Sequence, residues 1–323
     1  MKPATAVIIL LALLGLGCKL SASTAPPTAE TTVPSPTTSV QPATSNTQPE
    51  SAFDPAKLGS TEKDVTYCTM DGVELKMDLY FPTHAESPFP ATVYVHGGGW
   101  VSGDKTSGVG VRDIRELTNR GYLVVSLDYR LAPQYKFPAQ IEDVKCAIRQ
   151  LRAHAAAYGL DPDRIGVWGG SAGGHLVSLL GVTDENAGWD VGQYLDQSSR
   201  VQAVVDMFGP ADLSLFQEDS NNLMKRAFGA ETRMDAIIAA ASPVTYVTSD
   251  DSPFLILHGT EDGVVSLEQS EVLYDALTTA GVPVELVIVE NAGHGFIPVN
   301  GAINPNRQEI TRMIADFFDQ YLK

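Results

Sequence analysis

From Thr61 onward the chain alternates short, nearly unbroken apolar runs with longer stretches whose apolar residues recur at three and four positions. The runs predict strands at 64–70, 73–80, 91–95, 122–128, 164–168, 201–208, 253–258 and 284–289, and the longer stretches predict helices at 111–119, 139–154, 172–180, 267–279 and 305–321. Most strands are followed by a helix. Runs such as Leu123-Val124-Val125 and Phe254-Leu255-Ile256-Leu257 show no polar alternation, as expected of strands covered on both faces. The pattern therefore predicts an α/β fold with a mostly parallel central sheet and helices on both sides. Asp71-Gly72, between the first two strands, is a tight-hairpin signal, so the sheet is expected to begin with an antiparallel pair. No internal repeat interrupts this order.

Before Thr61 the pattern changes character. Lys2 is followed by an apolar stretch from Ala6 to Gly17, shorter than the ~20 residues needed to span a bilayer. Residues 1–18 read as a signal peptide. Leu16-Gly17-Cys18 resembles the cleavage site of bacterial lipoproteins, which makes Cys18 a candidate for lipidation, although Gly15 stands where that pattern usually has leucine. Residues 19–60 are expected to be a disordered tether, because 19 of the 30 residues from Ser21 to Glu50 are Ser, Thr or Pro and no apolar face can form. The expected organisation is thus an exported protein, either anchored by lipid or secreted, with one catalytic domain at 61–323.

A hydrophobic content of 44% over the whole chain supports a sizeable core. The net charge of −17 repels phosphate and anionic headgroups, so nucleic acid is excluded as a partner, and a membrane contact is expected only through the lipid. Setting Cys18 aside leaves Cys68 and Cys146, 78 positions apart, and an even pair in an exported domain predicts a structural disulfide.

Chemistry concentrates where predicted strands end. Ile165-Gly166-Val167-Trp168 runs into Gly169-Gly170-Ser171-Ala172-Gly173-Gly174-His175, a serine among glycines between a strand and a helix. A turn of that kind lifts Oγ out of the sheet and aims the helix start at any oxyanion formed there. Upstream, Val93-Tyr94-Val95 ends in His96-Gly97-Gly98-Gly99-Trp100. Three glycines in a row make sense where backbone must approach a ligand, so Gly98 and Gly99 are expected to join Ala172 as an oxyanion hole, each donor contributing roughly 3–4 kcal/mol in the transition state. In a sheet of this class ligands gather at the carboxyl ends of strands. The same rule selects His258-Gly259-Thr260-Glu261-Asp262-Gly263 and Ala292-Gly293-His294-Gly295-Phe296. Serine, then acid, then histidine is the order used on such sheets. His294 is the expected base, since His175 has a register suited to packing, His258 ends a strand, and His84 and His154 carry no motif. Asp262 is the expected acid, with Glu261 its main rival, and Asp128 and Asp212 reading as structural or capping residues. His96 has no companions at ligand spacing and is expected to brace the glycine loop, so no metal and no cofactor are expected.

Together these motifs resemble the α/β-hydrolases of the hormone-sensitive-lipase and carboxylesterase type: HGGGW at His96 to Trp100, DYRLAP at Asp128 to Pro133, GGSAGGH at Gly169 to His175, HGTED at His258 to Asp262 and AGHGF at Ala292 to Phe296. Within that group the chain is similar to short bacterial exported esterases related to bacterial feruloyl esterases. The resemblance covers nearly all of residues 61–323 and implies a triad of Ser171, Asp262 and His294, with Gly98, Gly99 and Ala172 as the oxyanion hole. One departure stands out. Many lipolytic relatives carry a helical cap before the first strands, whereas here any lid is expected at 211–249, with Leu213, Phe216, Leu223, Met224 and Phe228 as candidate pocket residues.

The expected function is hydrolysis of small or polysaccharide-linked carboxylic esters through an acyl-enzyme. Two alternatives are an exported serine peptidase, against which stands the lack of room for a large extra domain, and a tethered binding protein, against which stands the complete set of triad residues.

Overall fold

The computed structural model describes residues 52–216 and 221–323; the expected leader, Cys18 and nearly all of the expected tether lie outside these residues. The ordered domain begins earlier than position 61. Phe53 packs against Phe81 and Phe89, with ring centroids 5.8 and 5.3 Å away, and a single 3-10 turn at Pro55–Lys57 follows. The boundary expected from composition therefore moves about eight residues toward the amino terminus, because one aromatic ring finds an apolar seat.

Eight strands form the central sheet: β1 (Thr61–Met70), β2 (Val73–Tyr80), β3 (Phe89–Val95), β4 (Leu123–Leu127), β5 (Leu160–Gly170), β6 (Ala203–Met207), β7 (Phe254–Gly259) and β8 (Val284–Val289). Their order across the sheet is β1-β2-β4-β3-β5-β6-β7-β8. Only β2 runs against its neighbours; every pairing from β4 to β8 is parallel. The β1–β2 turn is the Asp71-Gly72 dipeptide, whose φ angles of +49° and +78° are those of a primed hairpin turn.

The helices are α1 (Ile114–Asn119), α2 (Ala139–Ala153), α3 (Ala155–Tyr158), α4 (Ala172–Val182), α5 (Asn221–Phe228), α6 (Ala236–Ala240), α7 (Glu268–Ala280) and α8 (Arg307–Leu322). Successive strand residues feed two separate cores, which is why the apolar runs are unbroken. Val93 and Val95 join the cluster that also holds residues of α2, α4 and α7, while Tyr94 between them joins the cluster holding residues of α1 and α8. Phe254 and Ile256 alternate with Leu255 and Leu257 in the same way. Helix α4, immediately after Ser171, is buried along its whole length, and its first turns lack polar residues apart from His175 and Ser178. Such a helix is apolar all round because protein surrounds it. Helix α8 starts at a complete capping box between Asn306 and Glu309.

Cys68 on β1 and Cys146 on α2 are joined in a disulfide, as expected from their pairing in the sequence. Behind it, buried Arg130 bonds to Asp143, Glu142 and the hairpin residue Asp71, tying the loop after β4 to α2 and to the first turn of the sheet. Closure of the long Cys68–Cys146 loop restricts the unfolded chain by about 4 kcal/mol. Replacing both cysteines by serine is expected to lower the melting temperature by roughly 10 °C, read by calorimetry against the oxidised parent; an unchanged melting temperature would show that the bridge adds nothing to stability.

Candidate active site

The strand-to-helix turn holds Ser171 at φ +57°, a left-handed conformation forced by the geometry around it. Ser171 N donates to Met207 O at 3.0 Å, which fixes the turn against the end of β6. Two glycines are indispensable for steric reasons. A Cβ on Gly173 would lie 2.1 Å from Val95 O, so α4 can pass this close to β3 only with glycine there. A Cβ on Gly98, at φ +111°, would lie 2.1 Å from Ser102 O, whose own N–H and hydroxyl donate back to Gly98 O. The glycine loop is thus a folded turn, with Trp100 at φ +61° closing it.

At this end of the sheet the two other sequence-selected motifs converge on the serine. His294 Nε2 accepts from Ser171 Oγ at 3.1 Å, and His294 Nδ1 donates to Asp262 Oδ2 at 2.8 Å. The other oxygen of Asp262 accepts from the N–H groups of Val264 and Val265 at 2.9 and 3.0 Å. Burial pushes this carboxylate up, but the bonds from His294 and the two amides outweigh it and hold Asp262 below the usual aspartate range. Its side chain is inaccessible, whereas Glu261 is exposed and turned to solvent. Of these neighbours it is Asp262 that bonds His294. The N–H groups of Gly98 and Gly99 donate to no acceptor among the described residues, and that of Ala172 heads α4, where no intrahelical partner exists. These three donors and Ser171 line one apolar cavity of about 460 Å³.

The remaining histidines at this end are struts. His96 donates from Nδ1 to Gly97 O at 2.7 Å and stacks on Tyr129, whose hydroxyl returns a bond to His96 O, so it braces the glycine loop as expected. His175 accepts from Trp100 Nε1 at 3.1 Å and donates from Nε2 to Ala241 O at 2.7 Å. It joins α4, the oxyanion loop and the 211–249 segment. Burial forces it neutral, pulling it down to about 4. His258 donates from Nε2 to Val265 O at 2.9 Å and accepts from Ser270 Oγ at 2.6 Å, which secures the loop carrying Asp262; its nearest approach to the Asp262 carboxylate is 3.6 Å. Asp212 caps a 3-10 turn, and Asp128 accepts from Lys105 N, both structural as expected.

Among its described residues, segment 211–249 contributes α5, α6 and 3-10 turns at Leu213–Leu215 and Pro243–Thr245. Of its five candidate pocket residues only Phe216 and Leu223 reach the cavity, with a Leu223 methyl packed over Gly99. Leu213, Met224 and Phe228 are core residues, Phe228 lying against Trp100 at 4.8 Å. Several wall residues escaped sequence reasoning, among them Val109, Phe208, Val264 and Val265. Phe208, directly after β6, lines the cavity at φ +46° and meets His294 ring to ring; nothing distinguishes it in sequence from an ordinary last residue of a buried strand.

Comparison with known proteins finds a match to the BD-FAE family model over residues 77–277. The probable carboxylic ester hydrolase LipM of Mycobacterium tuberculosis is 33% identical over 199 residues, 58% of this chain and 44% of its own length. Esterase LipC of the same organism is 32% identical over 225 residues, 67% of this chain and 55% of its own length. The chain thus spans about half the length of these curated relatives. Among solved structures, butyrate-bound esterase 2 of Thermogutta terrifontis superposes with a TM-score of 0.66 at 30% identity, covering 80% of this chain and 92% of that one. A truncated carbohydrate esterase from gut microbiota gives a TM-score of 0.66 at 27% identity, covering 84% of this chain and 99% of that one.

The neutral state of His175 has a stability consequence. Its folded value lies below the ordinary histidine value, so the native state binds fewer protons than the unfolded one between about pH 6.5 and 4. Stability is complete above that window and falls by up to about 3 kcal/mol as pH drops through it. His175→Gln is expected to flatten this fall, measured as urea midpoints from pH 7 to 4; a wild-type slope in the variant would remove His175 as its source.

Proposed function

The chain belongs to the BD-FAE family, and from that membership we propose that it hydrolyses carboxylic esters through an acyl-enzyme on Ser171. The observation that carries this reading is the unbroken hydrogen-bond chain from Ser171 Oγ through His294 to a buried Asp262, opening into an apolar cavity beside three backbone donors. Serine hydroxyl is a weak nucleophile, so His294 takes its proton as Oγ attacks the ester carbonyl. Asp262 keeps the imidazole in the tautomer with Nδ1 protonated and stabilises it when it becomes cationic. The carbonyl oxygen gains negative charge as the carbon becomes tetrahedral, and the N–H groups of Gly98, Gly99 and Ala172 receive that charge inside the apolar cavity. His294 then delivers its proton to the departing alcohol. Water repeats the sequence to release the acid.

The cavity favours neutral, compact acyl groups. Trp100, Val109, Phe208, Phe216, Leu223 and Val265 among its lining residues are apolar, and His294 is the sole ionisable side chain on it among the described residues. Small esters and acyl groups carried on polysaccharides both suit such a pocket, and the similarity to a carbohydrate esterase and to a butyrate-bound esterase supports each. The amino-terminal leader and the Ser/Thr/Pro stretch support an exported setting, with Cys18 as the anchoring residue where lipid is attached.

Ser171→Ala is expected to reduce kcat/KM on short-chain nitrophenyl esters by roughly five orders of magnitude while leaving the unfolding transition in place. A fluorophosphonate is expected to label the parent stoichiometrically and the variant not at all. Retained ester turnover in the alanine variant would sink the assignment.

A further inference from the structure

Phe208 combines two properties that rarely meet in one residue. Its backbone lies at φ +46°, a region bulky side chains seldom occupy, and its ring touches His294. Three bonds impose the backbone conformation. Ser171 N donates to Met207 O at 3.0 Å, Phe208 N donates to Leu257 O at 2.8 Å, and Gly209 N donates to Asp206 Oδ1 at 2.8 Å. Asp206 is itself inaccessible, and its second oxygen accepts from Ser178 Oγ at 3.0 Å, so the carboxylate is pinned to α4 as it bends the chain. The chain therefore reverses direction within one residue of the strand end. The ring is carried into the catalytic cavity.

There it lies 4.8 Å from the His294 imidazole, centroid to centroid, at an interplanar angle of 63°. Phe296, two residues beyond His294 on the same loop, is edge-on to the Phe208 ring at 4.9 Å, and His258 lies 6.5 Å away. The imidazole turns about its Cβ–Cγ bond and is held by hydrogen bonds at Nδ1 to Asp262 and at Nε2 to Ser171 Oγ, the second of which is lost once Oγ is acylated. A packing contact on the ring limits that rotation when the bond to Oγ no longer does. We propose that Phe208 is a positioning residue for ester hydrolysis, its ring holding the His294 imidazole so that Nε2 faces Ser171 Oγ. The proposal rests on the reading of Ser171 as nucleophile and His294 as base. Phe208 touches no reacting atom; it acts through His294.

Two simpler roles make different predictions. A ring that only walls the pocket changes substrate affinity, and one that only fills the core changes stability. Phe208→Gly separates them, because glycine adopts the left-handed backbone without strain and leaves the turn intact. Phe208→Leu keeps apolar bulk without a planar ring.

The full chain and both variants would be compared for kcat and KM on a short-chain nitrophenyl ester, for inactivation rate by a fluorophosphonate, and for thermal unfolding. Loss of alignment of this kind costs about 100-fold. Phe208→Gly is expected to lose about 30- to 100-fold in kcat, and Phe208→Leu about tenfold, with KM within about threefold. The inactivation rate should fall in parallel, since it needs the same activated serine. A kcat held within threefold while KM rises, or inactivation rates equal to the parent's, overturns the proposal. Should the glycine variant fail to fold, the leucine variant decides by the same criteria. A parent that the fluorophosphonate does not inactivate defeats the reading of Ser171 and this proposal with it; a reactive parent with equally reactive variants defeats the role of Phe208 alone.

Discussion

Everything at the catalytic end of the sheet depends on α4 lying against the backbone of β3 with no side chain between them. Val95 O would stand 2.1 Å from a Cβ on Gly173, and Gly170 O 2.8 Å from one on Gly97, so strand, helix and glycine loop meet main chain to main chain. That contact sets how far Ser171 projects and how near the amides of the glycine loop stand to it. Close packing of this kind does not deform gradually, since interiors are as dense as organic crystals. Ser171 and the amides of the glycine loop are thereby placed by the same contact.

Around this contact, buried imidazoles do what extra backbone bonds cannot. His96, His175 and His258 each lie at the edge of a different catalytic element: the glycine loop, the elbow helix and the acid loop. Desolvation lowers all three, so each stays neutral. His175 and His258 each present one donor and one acceptor at opposite sides of the ring, and in that form they bridge segments distant in sequence. Of the four histidines at this end of the sheet, His294 alone is partly exposed, with a side chain 27% accessible, and it alone faces Ser171. The same side chain serves as fixed support in three places and faces the serine in the fourth, and solvent access separates the roles.

The architecture was legible because two-sided burial writes itself into a sequence as unbroken apolar runs, and the convergence of Ser171, Asp262 and His294 because glycine-flanked polar residues follow those runs. Leu123-Val124-Val125 and Asp71-Gly72 needed no further information to read correctly. Other features depend on contacts that no local pattern encodes. Phe53 belongs to the domain only because Phe81 and Phe89 leave it a seat, and composition assigned it to the tether. In the 211–249 segment the apolar residues were visible, but which face the cavity is decided by the rotation of the short helix α5, where Leu223 points over Gly99 and neighbouring Met224 into the core. Phe208 was invisible because its left-handed turn is imposed by Asp206, Ser171 and Leu257, none of which marks it in sequence.

The disulfide has a consequence beyond its effect on the unfolded chain. Strand β1 is one edge of the eight-stranded sheet, and edges expose unpaired backbone groups that can recruit a strand from another molecule. Cys146 fastens this edge strand to α2, a helix on the face of the sheet, so β1 cannot peel away without breaking a covalent bond. Two register irregularities in the β1–β2 pairing make the edge a poor template as well. An oxidising surrounding therefore guards the molecule against edge-to-edge association, at a place remote in the sheet order from the strands that carry the serine and the acid.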